Sequence, residues 1–167
     1  MSPFALLREV KEWFKGTILL SGSIGDGYSI ASALALGADL AYVGSRFIAT
    51  TEAAADEVYK KMIIDSSAKD VIYTSFFSGI KGNYLRGSLE NAGLDPDKLD
   101  EGNKEQMSFS NPEKPKTWKD IWGSGQGIGN ISDITSVETV VDELEKELNE
   151  ALNDLTNKTK GFRNGKV

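Results

Sequence analysis

The chain has no cysteine and no histidine among its 167 residues. Without cysteine there is no disulfide, no thiol nucleophile and no thiolate metal site. Without histidine the commonest general base and the commonest metal ligand are missing as well. No apolar run approaches the roughly 20 residues of a membrane-spanning helix. Arg8, Glu9, Lys11 and Glu12 interrupt the first sixteen residues, which do not read as a signal peptide. The net charge is −6 and no basic stripe is visible, so nucleic acid is an unfavourable partner. A cytoplasmic protein without membrane association is the expectation. What remains is ordinary for one globular domain: 40% hydrophobic and 26% charged residues.

The most informative stretch is 17–50. Thr17 to Leu20 is a β-prone apolar run, broken by Ser21-Gly22-Ser23-Ile24-Gly25-Asp26-Gly27. Tyr28 to Leu36 places Ile30, Ala31, Leu34 and Ala35 on one helical face, and Gly37 stands where a helix-terminating glycine is expected. Leu40 to Val43 is a second strand, followed by Gly44-Ser45-Arg46. Strand, helix and strand of these lengths predict a parallel pair with a right-handed crossover. Both glycine turns then lie at carboxyl ends of adjacent parallel strands, where α/β proteins hold ligands.

Glycines there let main-chain N–H groups approach an anion. Asp26 is placed to cap the following helix, whose positive end would face the same spot. Phosphate is the natural guest; two ordinary tight turns are the competing reading. Gly22, Gly25 and Gly27 are spaced G-x-x-G-x-G, not G-x-G-x-x-G, and no G-K-[ST] triplet exists. Arg46 is either a cation for that phosphate or, as the favoured reading, a surface arginine or an ion pair inside the barrel rim.

Three blocks in order, LLSGSIGDGYSIASALALGADLAYVGSRFIATTE, FFSGIKGNYLRGSLENAGLDPDKL and WKDIWGSGQGIGNISDI, resemble the nitronate monooxygenases, also called 2-nitropropane dioxygenases. The resemblance runs from about Phe4 to Leu152. Flavin-dependent enoyl reductases share the two glycine turns. The resemblance implies an α/β fold, the carboxyl-terminal part of a TIM-type (β/α)8 flavin barrel with an attached mostly helical segment. It implies FMN as cofactor, with an alkyl nitronate and molecular oxygen as reactants.

Residues matching the family's cofactor grip are Ser21, Gly22 and Ser23 in the first turn and Gly44 and Ser45 in the second. The family more often has Gly at the position of Ser23 and Thr at that of Ser45. In the third block, Gln126 and Gly127 are expected against the flavin, with a purely structural loop as the alternative. No position can supply the family's histidine, so no catalytic residue and no metal ligand is assigned. The early barrel strands also lack counterparts. The expectation is a carboxyl-terminal portion that binds the phosphate half of the site and meets either an amino-terminal half or a second copy. An inactive flavin- or phosphate-binding or oligomerising fragment, or a relative of the flavin-dependent enoyl reductases, is the alternative.

The segments expected are 1–64, the last βα units with the phosphate turns; 65–116, a helical substrate-side segment and linker; 117–155, the glycine-rich loop and terminal helix; and 156–167, a flexible tail. Pro3 to Phe14, Glu52 to Ile64 and Tyr84 to Asn91 read as further helices. Tyr73, Phe76, Asn83 and Tyr84 line a pocket or, as the favoured reading, belong to the core. Arg86 is a weak candidate for steering an anionic substrate. Thr135 with Glu138 matches a capping box ahead of the Val137 to Leu155 apolar stripe. Glu143, Glu147 and Glu150 read as a solvated face.

Overall fold

A computed structural model describes residues 2–77, 79–99 and 119–163. The polar stretch 100–118, expected to be a loop, lies outside them. The first helix, α1 (Pro3–Trp13), starts with Pro3 in the first turn and is capped by Ser2 Oγ. Strand β1 (Leu19–Ser21) pairs in parallel with β2 (Leu40–Tyr42), with Leu20 opposite Ala41. Between them runs α2 (Gly27–Leu36). It ends at Gly37, whose φ of 105° is the left-handed cap that a side chain resists.

The sheet buries one face. Ile18, Leu20, Ala41 and Val43 pack with Leu7 of α1 and Ile30 and Ala33 of α2. The alternate residues point the other way and stay bare: Leu19 is 50%, Leu40 53% and Tyr42 58% exposed. Parallel sheets are ordinarily covered on both faces.

After β2 come the short α3 (Ser45–Ile48) and α4 (Glu57–Ile64). The expected helix from Glu52 starts later because Asp56 takes the cap, accepting from Val58 N–H at 2.8 Å. Glu52 instead reaches across the fold. Both its carboxylate oxygens lie 3.0 Å from the amide of Val137, at the start of α6 (Val137–Arg163). Ser136 Oγ accepts from Thr139 N–H there, so Ser136 and Glu52, not a Thr135–Glu138 box, cap this helix.

The segment expected to be mostly helical contains an antiparallel hairpin, β3 (Val71–Thr74) with β4 (Gly82–Leu85), before a brief α5 (Arg86–Asn91). Tyr84 and Leu85, read as the start of a helix, are strand residues because both bury in a hydrophobic cluster. Helix α6 runs 27 residues, through part of the tail expected to be flexible. Among the described residues no helix is long and apolar enough to cross a membrane.

Candidate functional site

Strands β1 and β2 are parallel and in register, so their following turns emerge side by side. Ser21, Gly22, Ser23 and Ile24 from the first, and Gly44 and Ser45 from the second, line one cleft of about 160 Å³ with Tyr42, Gly125 and Gly127. Gly22 has φ 103° and Ser23 has φ 58°, two consecutive left-handed residues that turn the chain sharply at the strand end. For serine that conformation costs roughly 1–2 kcal/mol. A side chain at Gly22 would meet nothing within 4 Å. The space in front of this turn is therefore open.

The third wall comes from far along the chain. Residues 122–124 run beside β4, where Leu85 N–H donates to Trp122 O at 2.8 Å and Ser124 N–H to Asn83 O at 3.2 Å. Tyr59 stacks on Trp122 with ring centroids 5.0 Å apart, and its hydroxyl donates to Gly123 O. Burial pushes the Tyr59 phenol up to about 12. Anchored this way, the glycine loop crosses to the two turns. Gly125 N–H donates to Ser45 Oγ at 2.8 Å. A Cβ on Gly127 would sit 2.7 Å from Ser23 O, and one on Gly25 would sit 2.2 Å from Gly127 O. Here glycine is required for backbones to touch. Residues Gln126–Asn130 then form a short 3-10 stretch kinked at Gly127.

Chemically the cleft is a set of neutral donors. Among the described residues, the amides of Ser23 and Gly44 donate to no protein acceptor, whereas the Ser21–Tyr42 pairing of the parallel ladder turns the Gly22 amide toward the Tyr42 carbonyl. Ser45 Oγ accepts from Gly125 and so keeps its own proton for an outside oxygen. This suits a phosphate group, each charge-assisted bond being worth about 1.5–3 kcal/mol. The cleft is smaller than the roughly 300–1,000 Å³ of sites that enclose a whole drug-sized ligand. It has room for a phosphate-sized group.

Six of the seven residues singled out from sequence, Ser21, Gly22, Ser23, Gly44, Ser45 and Gly127, line this cleft. Gln126 does not: its side chain is exposed, outside the lining, because the 3-10 turn carries it away. Gly125 and Tyr42 stand there unanticipated; the alternate-glycine run was the signal for the former.

The amino end of α2 does not open into the cleft either. Its Gly27 N–H donates to Glu147 Oε2 at 2.8 Å and Ser29 N–H to Asp26 Oδ1 at 2.7 Å. Arg46 is only 6% exposed and turns away from the cleft, to Glu143 Oε2 at 2.7 Å and Asp133 Oδ1 at 3.3 Å. It is an ion-pair residue.

The other candidates lie elsewhere. Arg86 pairs with both oxygens of Asp97, at 2.8 and 2.9 Å. Tyr84 is buried against Phe77 with Phe76 packed on that cluster, while Tyr73 is exposed. Asn83 spends its carbonyl on Ser124, and none of the four lines the cleft.

Comparison with known proteins agrees with this architecture. A nitronate monooxygenase from Paraburkholderia phytofirmans is 34% identical over 96 residues, covering 58% of this chain and 26% of that protein. One from Neurospora crassa is 27% identical over 160 residues, covering 87% of this chain and 41% of that protein. The chain thus spans less than half the length of these relatives.

Among solved structures, a point variant of FabK from Thermotoga maritima superposes with TM-score 0.69 at 25% identity, covering 95% of this chain and 50% of that one. Nitroalkane oxidase from Streptomyces ansochromogenes gives 0.66 at 26%, covering 93% and 46%. The sequence model of one family, nitronate monooxygenase, matches residues 1–147, cleft and clamping loop included. The chain belongs to the nitronate monooxygenase family.

Proposed function

We propose that this chain supplies the phosphate-binding half of an FMN-dependent nitronate monooxygenase, with β1 and β2 as the last two strands of a (β/α)8 flavin barrel. The observation that carries the reading is the convergence of turns 21–24 and 44–45 and loop 125–127 on one cleft of open main-chain donors. In this reading the amides of Ser23 and Gly44 and the hydroxyl of Ser45 hold the phosphate oxygens, and Gly22 gives the open space in front of them. Gly125 and Gly127 press the loop against both turns and exclude water from them. FMN, when bound, supplies the redox chemistry by which an alkyl nitronate is oxidised with molecular oxygen, in a cytoplasmic setting. The solved relative described as nitroalkane oxidase supports a nitro compound as substrate class.

The chain has no histidine, so it does not itself hold the family's histidine base. The bare sheet face at Leu19, Leu40 and Tyr42 is where the rest of a barrel, or a second copy, would sit. The lack of a histidine base also favours a second reading, flavin binding without turnover.

Titration of the purified chain with FMN and with riboflavin tests the assignment. FMN should bind at least about tenfold more tightly, and Ser45→Ala should weaken FMN by about tenfold while leaving riboflavin unchanged. Equal affinities for the two flavins would refute a phosphate grip. Nitronate-dependent oxygen uptake then separates the two readings.

A further inference from the structure

Helix α6 carries Glu143 and Glu147 one turn apart, and each reaches a different phosphate turn. Glu147 Oε2 accepts from Gly27 N–H at 2.8 Å, at the end of the β1–α2 turn. Glu143 Oε2 takes the buried guanidinium of Arg46 at 2.7 Å, directly after Gly44-Ser45. Asp133 adds a second contact to Arg46, through its backbone oxygen at 3.4 Å and its carboxylate at 3.3 Å. Asn130 Nδ2 donates to Asp26 Oδ2, tying the glycine loop to the same corner. The two helices also touch: a Cβ on Gly27 would fall 2.2 Å from Leu148 N. Asp26, Arg46, Asn130, Asp133, Glu143 and Glu147 line one small polar cavity.

We propose that Glu143 and Glu147 are positioning residues, a two-point clasp by which α6 sets the separation of the two phosphate turns. Spaced four apart on a rigid helix, they hold the turns at a fixed distance before any ligand arrives. Glu147 has a further effect. Its carboxylate fills the amide end of α2 that would otherwise attract an anion. A phosphate is thereby directed to the Ser23, Gly44 and Ser45 donors. The clasp rests on the phosphate reading above for its purpose, but its mechanical part stands on these contacts alone.

The test uses the full chain with Glu147→Ala, Glu147→Gln and Glu143→Gln. Amide hydrogen exchange is measured without flavin, and FMN and riboflavin are titrated in parallel. Glu147→Ala should speed exchange at 25–29 by about tenfold or more without changing the 44–48 turn. Glu143→Gln should do the reverse. Glu147→Gln keeps an acceptor for Gly27 and should restore protection to within about threefold.

FMN affinity should fall about tenfold for Glu147→Ala with riboflavin unchanged. Uniform loss of protection, or no local change in any variant, overturns the clasp. Should Glu147→Ala not fold, Glu143→Gln still decides it by loosening 44–48 while 25–29 stays protected, with Glu147→Gln near wild type at 25–29, because simple destabilisation would loosen both turns alike. If wild-type chain binds FMN no better than riboflavin, the phosphate reading fails while the exchange data judge the clasp separately.

Discussion

Replacing Gly127 with alanine puts one methyl group between two backbones. The new Cβ would stand 2.7 Å from Ser23 O and 2.8 Å from Ser23 C, roughly 0.7 Å inside ordinary contact. Neither neighbour is a side chain that can swing aside. The loop must lift from the β1 turn, and the Gly125 N–H to Ser45 Oγ bond at 2.8 Å stretches with it. Overpacking of this kind costs about 1–3 kcal/mol. Losing the bond adds about 1 kcal/mol.

For a chain of this size the expected fall in Tm is roughly 4–16 °C, at about 2–4 °C per kcal/mol. Thermal unfolding followed by circular dichroism gives that number. Two-dimensional amide spectra should show shifts concentrated at Ser23, Ser45 and Gly125. FMN affinity should drop with them, because the third wall of the cleft has moved. An unchanged Tm with an unmoved Gly125 amide would refute the claim that the glycine loop is seated on the turns.

Three further outcomes are expected. Tyr59 titrates at about 12, above its ordinary 10.0, because burial disfavours the phenolate; its contribution is intact below pH 10 and is lost as pH rises through about 12. Ultraviolet phenolate absorbance should therefore show a late-ionising component, and Tyr59→Phe should remove the part that titrates near 12. Glu52 is held below its ordinary 4.5, first by the Val137 amide and then by the Thr51 hydroxyl; the stability it adds is present above pH 4.5 and is lost as pH falls through the depressed value. A fall in the protection factor at Val137 on acidification, corrected for the slower intrinsic exchange and abolished in Glu52→Gln, is the readout. Leu40→Asn should change unfolding free energy by no more than about 0.5 kcal/mol in dilute solution, since the side chain is 53% exposed; a loss above about 2 kcal/mol, measured by urea unfolding, would mean that the sheet face is covered by a second copy.

Local rules made much of the fold legible. Thr17 to Thr50 carries its own punctuation: an apolar run, Asp26 as cap, Gly37 in the left-handed region. Parallel pairing followed from the length of the crossover. The hairpin was missed because short apolar runs such as Val71-Ile72-Tyr73 have too few residues for a period to declare itself. The late start of α4 was missed for a different reason. Its cap was readable at Asp56, but Glu52 was engaged 85 residues away.

By itself, the order of residues determined the two strand-end turns, the donors they bear and the glycine-rich loop that complements them. These depend on backbone conformation over a few residues, which side chains dictate locally. Only tertiary structure decided which groups face the cleft. Gln126 turned out, Gly125 turned in, Arg46 went to Glu143, and Glu147 took the α2 amide. Each of those outcomes is a competition between partners far apart in sequence, settled by how α6 and β4 pack rather than by any local preference.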